Sequence, residues 1–411
     1  MRVLCSLVDQ GLASGGNFAL NILLVRFLSP SDYGAFTVAF AIFLLAENFQ
    51  NAMILEPMGV IGPTYYREQL RVYLGTTVWI HAGLSVLLTV LLLLVTACMV
   101  AAHSVLAPAM LGLCFSTPFI LLFGLFRRAC YLETRPGLAL RGSLSYVLFL
   151  VAGMLVLWWV HWITVMSAFL LMGVAGLAAS VLLWRCLRVP LEFVSRGDAV
   201  GCLAAAVRRH WTYARWSLGG TVLYWLASSI YLPLLGALAG LPAVAAFRAT
   251  QNLLHPMGQI LTALGLLLLP WITLQSRVRD SRYLDRTAVQ TSLLVGLPTV
   301  VYISGILAAG PSLSRLLYGN DYYVSALSLV PWLGASMVLR AVSDTGFGVA
   351  ARAAQRPDIG FWATLAAAAV TLTAGLGLVS RYGAVGAAAG WMLSSAAGCA
   401  ACVGLFRGRL R

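Results

Sequence analysis

Hydrophobic and polar positions along the 411-residue chain alternate as long apolar runs separated by short polar connections. A run of about twenty apolar residues is long enough to cross the hydrocarbon core of a bilayer as a helix. The pattern predicts six such helices in the first half, at 7–28, 34–57, 74–102, 104–126, 142–160 and 163–184. Six more are predicted at 216–238, 243–272, 288–309, 325–350, 359–379 and 383–406. The connection at 190–215 is the longest polar stretch and reads as a cytoplasmic linker, with an amphipathic surface helix as one form open to it. The expected architecture is an all-α polytopic membrane protein of about twelve transmembrane helices. They would form two six-helix lobes, 1–189 and 216–411, around a central cleft.

Local echoes link the halves. Ser217-Leu218-Gly219-Gly220 opens the second as Ala13-Ser14-Gly15-Gly16 lies near the start of the first. Gln251-Asn252 followed by Pro256-Met257-Gly258 parallels Gln50-Asn51 followed by Pro57-Met58-Gly59. A duplicated unit with an even helix number keeps both copies in one orientation, related by an axis along the membrane normal.

Composition strengthens the membrane reading. Hydrophobic residues make up 61% of the chain, charged residues 10%, and mean hydropathy is +0.89. Soluble domains carry about a quarter charged residues. The 27 Lys+Arg residues are all arginine, and the missing lysine excludes a P-loop phosphate lysine, a Schiff-base lysine and a Ser-Lys dyad. The arginines follow alternate connections: Arg67, Arg71, Arg127, Arg128, Arg135 and Arg141 gather on one side, whereas Arg315 and Arg381 stand nearly alone on the other. The positive-inside rule then puts both termini in the cytoplasm, with the chain in the cytoplasmic membrane, and the +14 net charge needs no nucleic-acid partner.

Eight cysteines suggest packing, not a disulfide framework, and the Cys399/Cys402 pair sits in an Ala/Gly-rich helix without a second pair to complete a metal site. No HExxH or Gly-x-Ser-x-Gly pattern is present, no cleavable signal peptide is expected, and the chain does not read as an enzyme. His81, His103, His161 and His210 are expected near membrane boundaries or in a loop.

Polar residues inside apolar runs are the candidates for chemistry, because they are costly at membrane depth and tend to face a bundle interior or a wet cavity. Asn17, Asn21 and Arg26 lie in the first helix, and Glu47, Asn48 and Asn51 in the second. Arg248 is followed by Gln251, Asn252, His255 and Gln259 at spacings of three to four, which makes one polar helix face. That face either lines a cavity or packs between helices. Arg26 either snorkels to the interface or lines the same path. Arg340 has Asp344 one turn later, an ion pair open to a structural or a functional reading. A planar guanidinium can hold phosphate oxygens bidentately. Glu47 and Asp344 are the candidates for ion coupling, with a hydrogen-bonded structural role as the alternative for Glu47.

Three stretches carry a family resemblance: Arg26-Phe27-Leu28-Ser29-Pro30-Ser31-Asp32-Tyr33-Gly34-Ala35-Phe36, Leu316-Leu317-Tyr318-Gly319-Asn320-Asp321-Tyr322, and Tyr382-Gly383-Ala384-Val385-Gly386-Ala387-Ala388. In this order the chain resembles the polysaccharide flippases of the multidrug/oligosaccharidyl-lipid/polysaccharide (MOP) exporter superfamily. The resemblance implies a transporter that flips an isoprenoid-pyrophosphate-linked oligosaccharide by alternating access. No ATP-site motif is visible, so no cofactor is expected, and energy would come from an H+ or Na+ gradient or from substrate consumption outside. The partners would be that lipid-linked substrate, membrane lipids and polysaccharide polymerase or assembly proteins. An ion-coupled multidrug or small-solute antiporter of the same superfamily, and a non-transporting scaffold of a glycan assembly complex, are the alternatives.

Overall fold

The computed structural model describes residues 2–190, 199–276 and 281–410, and every regular element among them is a helix. Part of the linker, 191–198, and Arg277 and Arg279 lie outside the described residues. Six helices come first: α1 (Arg2–Phe27), α2 (Pro30–Tyr65), α3 (Leu70–Ala101), α4 (Ala107–Leu132), α5 (Pro136–Trp159) and α6 (Val165–Leu187). Next, α7 runs over Ala199–Ser228 and resumes as Tyr231–Ala239 after a 44° bend. Then follow α8 (Leu241–Ser276), α9 (Ser281–Tyr318) and α10 (Tyr322–Ala353). The helical trace Pro357–Gly408 breaks at Gly383 (φ 54°, ψ −127°), which divides it into α11 (357–382) and α12 (384–410).

The described residues thus form the expected twelve helices, but the helices outrun their apolar patterns. The helix predicted at 288–309 is observed as Ser281–Tyr318. Its ends carry Asp285, Arg286 and Arg315, polar residues that continue the backbone ladder beyond an apolar middle. Within α2, the ladder widens into a π-turn over Asn51–Leu55 directly before Pro57. A proline has no N–H to donate four residues back, so the Met53 carbonyl loses its usual partner. Helix α7 supplies one, as described below.

The connections before α5 and α11 share one construction. Thr134 (φ 56°) and Gln355 (φ 58°) close the preceding helices in the left-handed region. The next residues, Arg135 and Arg356, have nearly identical conformations, φ −115°, ψ 61° and φ −117°, ψ 65°. Their N–H groups reach back five residues, to the Cys130 carbonyl at 2.8 Å and the Ala351 carbonyl at 2.9 Å. This 6→1 bond satisfies a helix-end carbonyl that would otherwise lack a donor. A proline then starts the next helix in both places, where a missing N–H costs nothing. The same device at the fourth-to-fifth and tenth-to-eleventh connections is a structural counterpart of the sequence echoes.

Two compact units divide the chain. The first comprises Met1–Leu28 and Val38–Thr221; the second comprises Ser29–Thr37 and Val222–Arg411. Within the first unit, α4 packs along α6 through small residues. A Cβ on Gly173 would lie 2.8 Å from the Ser116 Cβ, and one on Gly176 would lie 2.9 Å from the Phe119 carbonyl oxygen. Only glycine permits that approach. In the second unit, Ile272, Ala288, Phe347, Val349 and Phe406 bury an apolar core contributed by α8, α9, α10 and α12.

The stretch of the linker from Ala199 onward is the start of α7, and it is fastened to the first unit by a histidine. His210 is buried, in the stretch that precedes the apolar part of α7. Its Nδ1 lies 3.1 Å from the Met53 carbonyl and its Nε2 2.8 Å from the Tyr73 hydroxyl. A carbonyl only accepts, so Nδ1 carries the proton and Nε2 accepts from the tyrosine. Arg209, beside it, stacks 4.6 Å over the Tyr65 ring. His210 precedes the apolar part of α7, which begins at Ser217. Burial lowers its pKa from the ordinary 6.5, although the Met53 bond opposes the shift. The folded state therefore binds this proton less readily than the unfolded state, and stability falls as pH drops below about 6.5. Hydrogen-exchange protection across 199–216, taken relative to the intrinsic exchange rate at each pH, is expected to fall between about pH 7 and pH 5 in the native chain. In His210→Gln, which cannot titrate, that pH dependence disappears.

Candidate functional site

The signature at 26–36 begins as a helix cap. The Asp32 N–H donates to Ser29 Oγ at 3.1 Å, and the Ser29 hydroxyl donates to Asp32 Oδ2 at 2.7 Å. Pro30 takes the first helical position, and Asp32 adds negative charge to the first turn, where the helix dipole favours it. The cap sets the direction of Tyr33 and Gly34, which belong to the second unit. Tyr33 is fully buried. The Asn252 amide donates to its hydroxyl at 2.9 Å, and Arg248 also hydrogen-bonds it. A Cβ on Gly34 would collide with the Leu241 carbonyl oxygen, so this backbone contact requires glycine.

The second signature closes α9 over the same region. Tyr318 donates to the Ala249 carbonyl at 2.8 Å, and Gly319 (φ 66°) ends the helix. Asn320 Oδ1 then accepts from the Tyr322 N–H at 2.9 Å, while Arg315 and Asp321 pair at 2.9 Å. Tyr318 and Tyr323 meet edge to face at 5.4 Å. Two sequence signatures and the polar face of α8 therefore converge on a tyrosine cluster of Tyr33, Tyr318 and Tyr323. The third signature supplies the Gly383 break between α11 and α12.

Of the predicted residues in the second unit, Arg248, Gln251 and Asn252 are brought together. Arg248 Nη1 donates to Gln251 Oε1 at 3.2 Å, and Asn252 is buried against Tyr33. His255 lies one turn further on, with its Nε2 3.1 Å from Gln259 Nε2. Arg340 and Asp344 form a separate cluster, joined at 3.2 Å, where α10 widens into a π-turn over Ala341–Phe347. Such turns recur at functional positions in helices. The pair faces a cavity of about 370 Å³.

In the first unit, Asn17 and Asn21 share a face of α1, with the Asn21 amide donating to the Asn17 carbonyl at 2.9 Å. Tyr146 reaches Asn17 Oδ1 at 3.4 Å and also lies within electrostatic range of Glu47. Glu47 is exposed on α2 and feels the charge of Arg127. Asn48 is half-buried beside it. Asn51 is exposed and donates to Glu56 Oε1 at 3.2 Å, while Ser217 donates to Glu56 Oε2 at 2.6 Å. Arg26 is exposed at the end of α1.

Three buried polar groups, Asp9, His81 and His210, are not among the candidate site residues. Asp9 is completely enclosed: Arg127 grips it at 2.8 Å, and Tyr131 and Ser143 donate to its two oxygens at 2.5 Å each. Arg127 and Tyr131 are four residues apart on one face of α4, which was the signal available for finding an acid opposite them. His81 is buried in α3. Its Nδ1 lies 3.2 Å from Gln50 Nε2, which also donates to the Leu121 carbonyl at 2.8 Å. The Ser85 hydroxyl lies 3.2 Å from the other ring nitrogen. His210, already described, is the third. No group of three His, Cys, Asp or Glu residues suited to a metal ion occurs among the described residues.

No protein-family model and no curated protein matches the chain. Solved structures do. The chain is similar to an inward-facing multidrug resistance MATE family transporter of the MOP superfamily, with a TM-score of 0.76, 12% identity and 98% of each chain covered. It is also similar to the lipid II flippase MurJ in an inward closed conformation, with a TM-score of 0.77 and 11% identity over 99% of this chain and 87% of that one. A MOP superfamily transporter from Pyrococcus furiosus matches at a TM-score of 0.66 and 13% identity, over 99% and 94%. At these identities the likeness establishes the fold.

Proposed function

We propose that this chain is a transporter of the MOP type that carries an isoprenoid-pyrophosphate-linked oligosaccharide across the cytoplasmic membrane by alternating access. Both termini would be cytoplasmic. The observation that carries the reading is that two flippase-like signatures meet the same turn of α8, Tyr33 at Asn252 and Tyr318 at the Ala249 carbonyl, beside Arg248. It is supported by a fold shared with a lipid flippase over 99% of the chain. In this scheme the Arg248 guanidinium holds pyrophosphate oxygens as a planar fork, and the neighbouring amides meet sugar hydroxyls. Asn17, Asn21, Arg26, Asn48 and Asn51 in the first unit, and His255 and Arg340 in the second, are the further residues assigned to cargo in this scheme. Glu47 and Asp344 are the groups that would couple transport to an ion gradient.

A second reading is an ion-coupled multidrug antiporter. It is favoured by the equally strong fold likeness to a multidrug resistance transporter and by the exposed Glu47 carboxylate, which suits a cationic solute. One experiment separates the two. In cells lacking the gene, isoprenoid lipids are extracted and the leaflet of any pyrophosphate-linked oligosaccharide is determined. Accumulation on the cytoplasmic side, reversed by the intact gene, is the expected result. Unchanged lipids with raised sensitivity to cationic drugs would give the antiporter. Restoration by a variant lacking Glu47, Arg248 and Arg340 together would leave a scaffold.

A further inference from the structure

The second unit holds a cavity of its own, formed by α7, α10, α11 and α12, with a volume of about 370 Å³. That volume lies in the range of small-molecule sites. Most of its wall is small and apolar, with alanines and glycines at 227, 351, 360, 363, 367 and 398. Three guanidiniums line it, Arg340, Arg352 and Arg356, against a single lining carboxylate, Asp344.

The charges do not cancel. Arg340 is matched by Asp344 at 3.2 Å. Arg356 is gripped from just outside by Asp358, at 3.1 and 3.2 Å, with both side chains 40% exposed. Arg352 differs. Its Nε donates to the Gly348 carbonyl at 3.2 Å and its Nη2 to the Asp344 carbonyl at 3.3 Å. Backbone carbonyls orient a guanidinium without neutralising it, so a full positive charge stays fixed at the wall. The start of α11 at Pro357 lies beside it and adds the positive end of a helix dipole. Hydroxyls from Tyr224, Ser228, Ser343, Thr364, Ser394 and Ser395 also line the cavity.

We infer that this cavity binds the phosphoryl group of an anionic amphiphile, with Arg352 and Arg356 as the headgroup ligands and the alanine- and glycine-lined wall receiving the start of the hydrocarbon chain. A phosphoryl group can displace Asp358 from Arg356 and take both arginines at once, since guanidinium–phosphate pairs are bidentate. A cationic organic solute would meet fixed like charge at Arg352 and is disfavoured as the occupant. The inference does not depend on the cargo proposed above, because a membrane phospholipid and an isoprenoid pyrophosphate present the same chemistry.

The test uses the purified full-length protein in detergent micelles, with binding followed by native mass spectrometry and titration. The probes are farnesyl pyrophosphate, dioleoylphosphatidylglycerol, inorganic pyrophosphate and uncharged farnesol. Arg352→Gln and Arg352→Gln/Arg356→Gln change exposed side chains, and Ala363→Leu narrows the apolar wall. At least one phosphoryl amphiphile is expected to bind more tightly than farnesol and inorganic pyrophosphate. The double variant should weaken it at least tenfold, and Ala363→Leu should weaken it without altering binding of inorganic pyrophosphate. Weakening confined to farnesyl pyrophosphate assigns the site to an isoprenoid headgroup. Weakening confined to phosphatidylglycerol assigns it to a membrane lipid, which upholds this inference while giving the proposed cargo no support. Binding of every probe unchanged in all three variants, or inorganic pyrophosphate binding as tightly as the amphiphiles, overturns it.

Discussion

Asp9→Ala is expected to destabilise the protein more than any other single exchange considered. The carboxylate is fully enclosed and receives Arg127, Tyr131 and Ser143. These partners come from α4 and α5, so the acid ties three helices of the first unit together. Removing it leaves a largely buried guanidinium and two hydroxyls without their acceptor. Breaking a buried ion pair from one side costs roughly 3–5 kcal/mol, because the surviving charge is stranded. That is a large part of a typical domain's stability of about 5–15 kcal/mol. The expected outcome is a lower thermal midpoint in detergent and poor recovery of monodisperse protein. Asp9→Asn keeps the shape and part of the hydrogen bonding and should lie between Asp9→Ala and the native chain. A midpoint for Asp9→Ala equal to the native value would show that the network adds nothing net.

Arg248→Ala is the change expected to affect transport most. Arg248 is half-buried, hydrogen-bonds Gln251 and Tyr33, and stands where two signatures meet. Hydrogen bonds to a charged group contribute about 1.5–3 kcal/mol each. If those bonds are made to cargo while it is being moved, their loss slows transport roughly 10- to 100-fold, at about 1.4 kcal/mol per factor of ten. Arg248→Lys keeps the charge but not the planar fork, so it is expected to recover only part of the rate. Folding should survive in both, because Tyr33 keeps the Asn252 bond. A transport rate unchanged in Arg248→Ala, with normal expression, would remove this residue from the cargo path.

The fold was largely legible in the sequence because bilayer solvation imposes a coarse, long-range pattern. A helix must keep its backbone bonds internal at membrane depth, and twenty apolar residues announce it. Helix ends were less legible. Polar turns such as those at Asp285 and Arg315 continue helices past the apolar pattern, and Schellman closures at Thr134 and Gln355 use no glycine. The polar face of α8 was readable from its spacing. What a spacing pattern could not give was pairing across the chain. Asp9 with Arg127 spans 118 positions, and Gln50 with Leu121 spans 71. The Met53–His210 bond depends on Pro57 withholding its donor, a local rule whose consequence appears 157 residues away. Burial of His81 and His210 follows from such pairings.

The central claim is that the chain moves a pyrophosphate-linked lipid, and reconstitution tests it most directly. Purified protein is placed in vesicles with a fluorescent short-chain isoprenoid-pyrophosphate oligosaccharide, and its leaflet is read by an impermeant quencher. The account predicts movement well above the protein-free rate, reduced at least tenfold by Arg248→Ala. Movement no faster than in empty vesicles, together with gradient-driven export of a cationic dye by the same preparation, would contradict it.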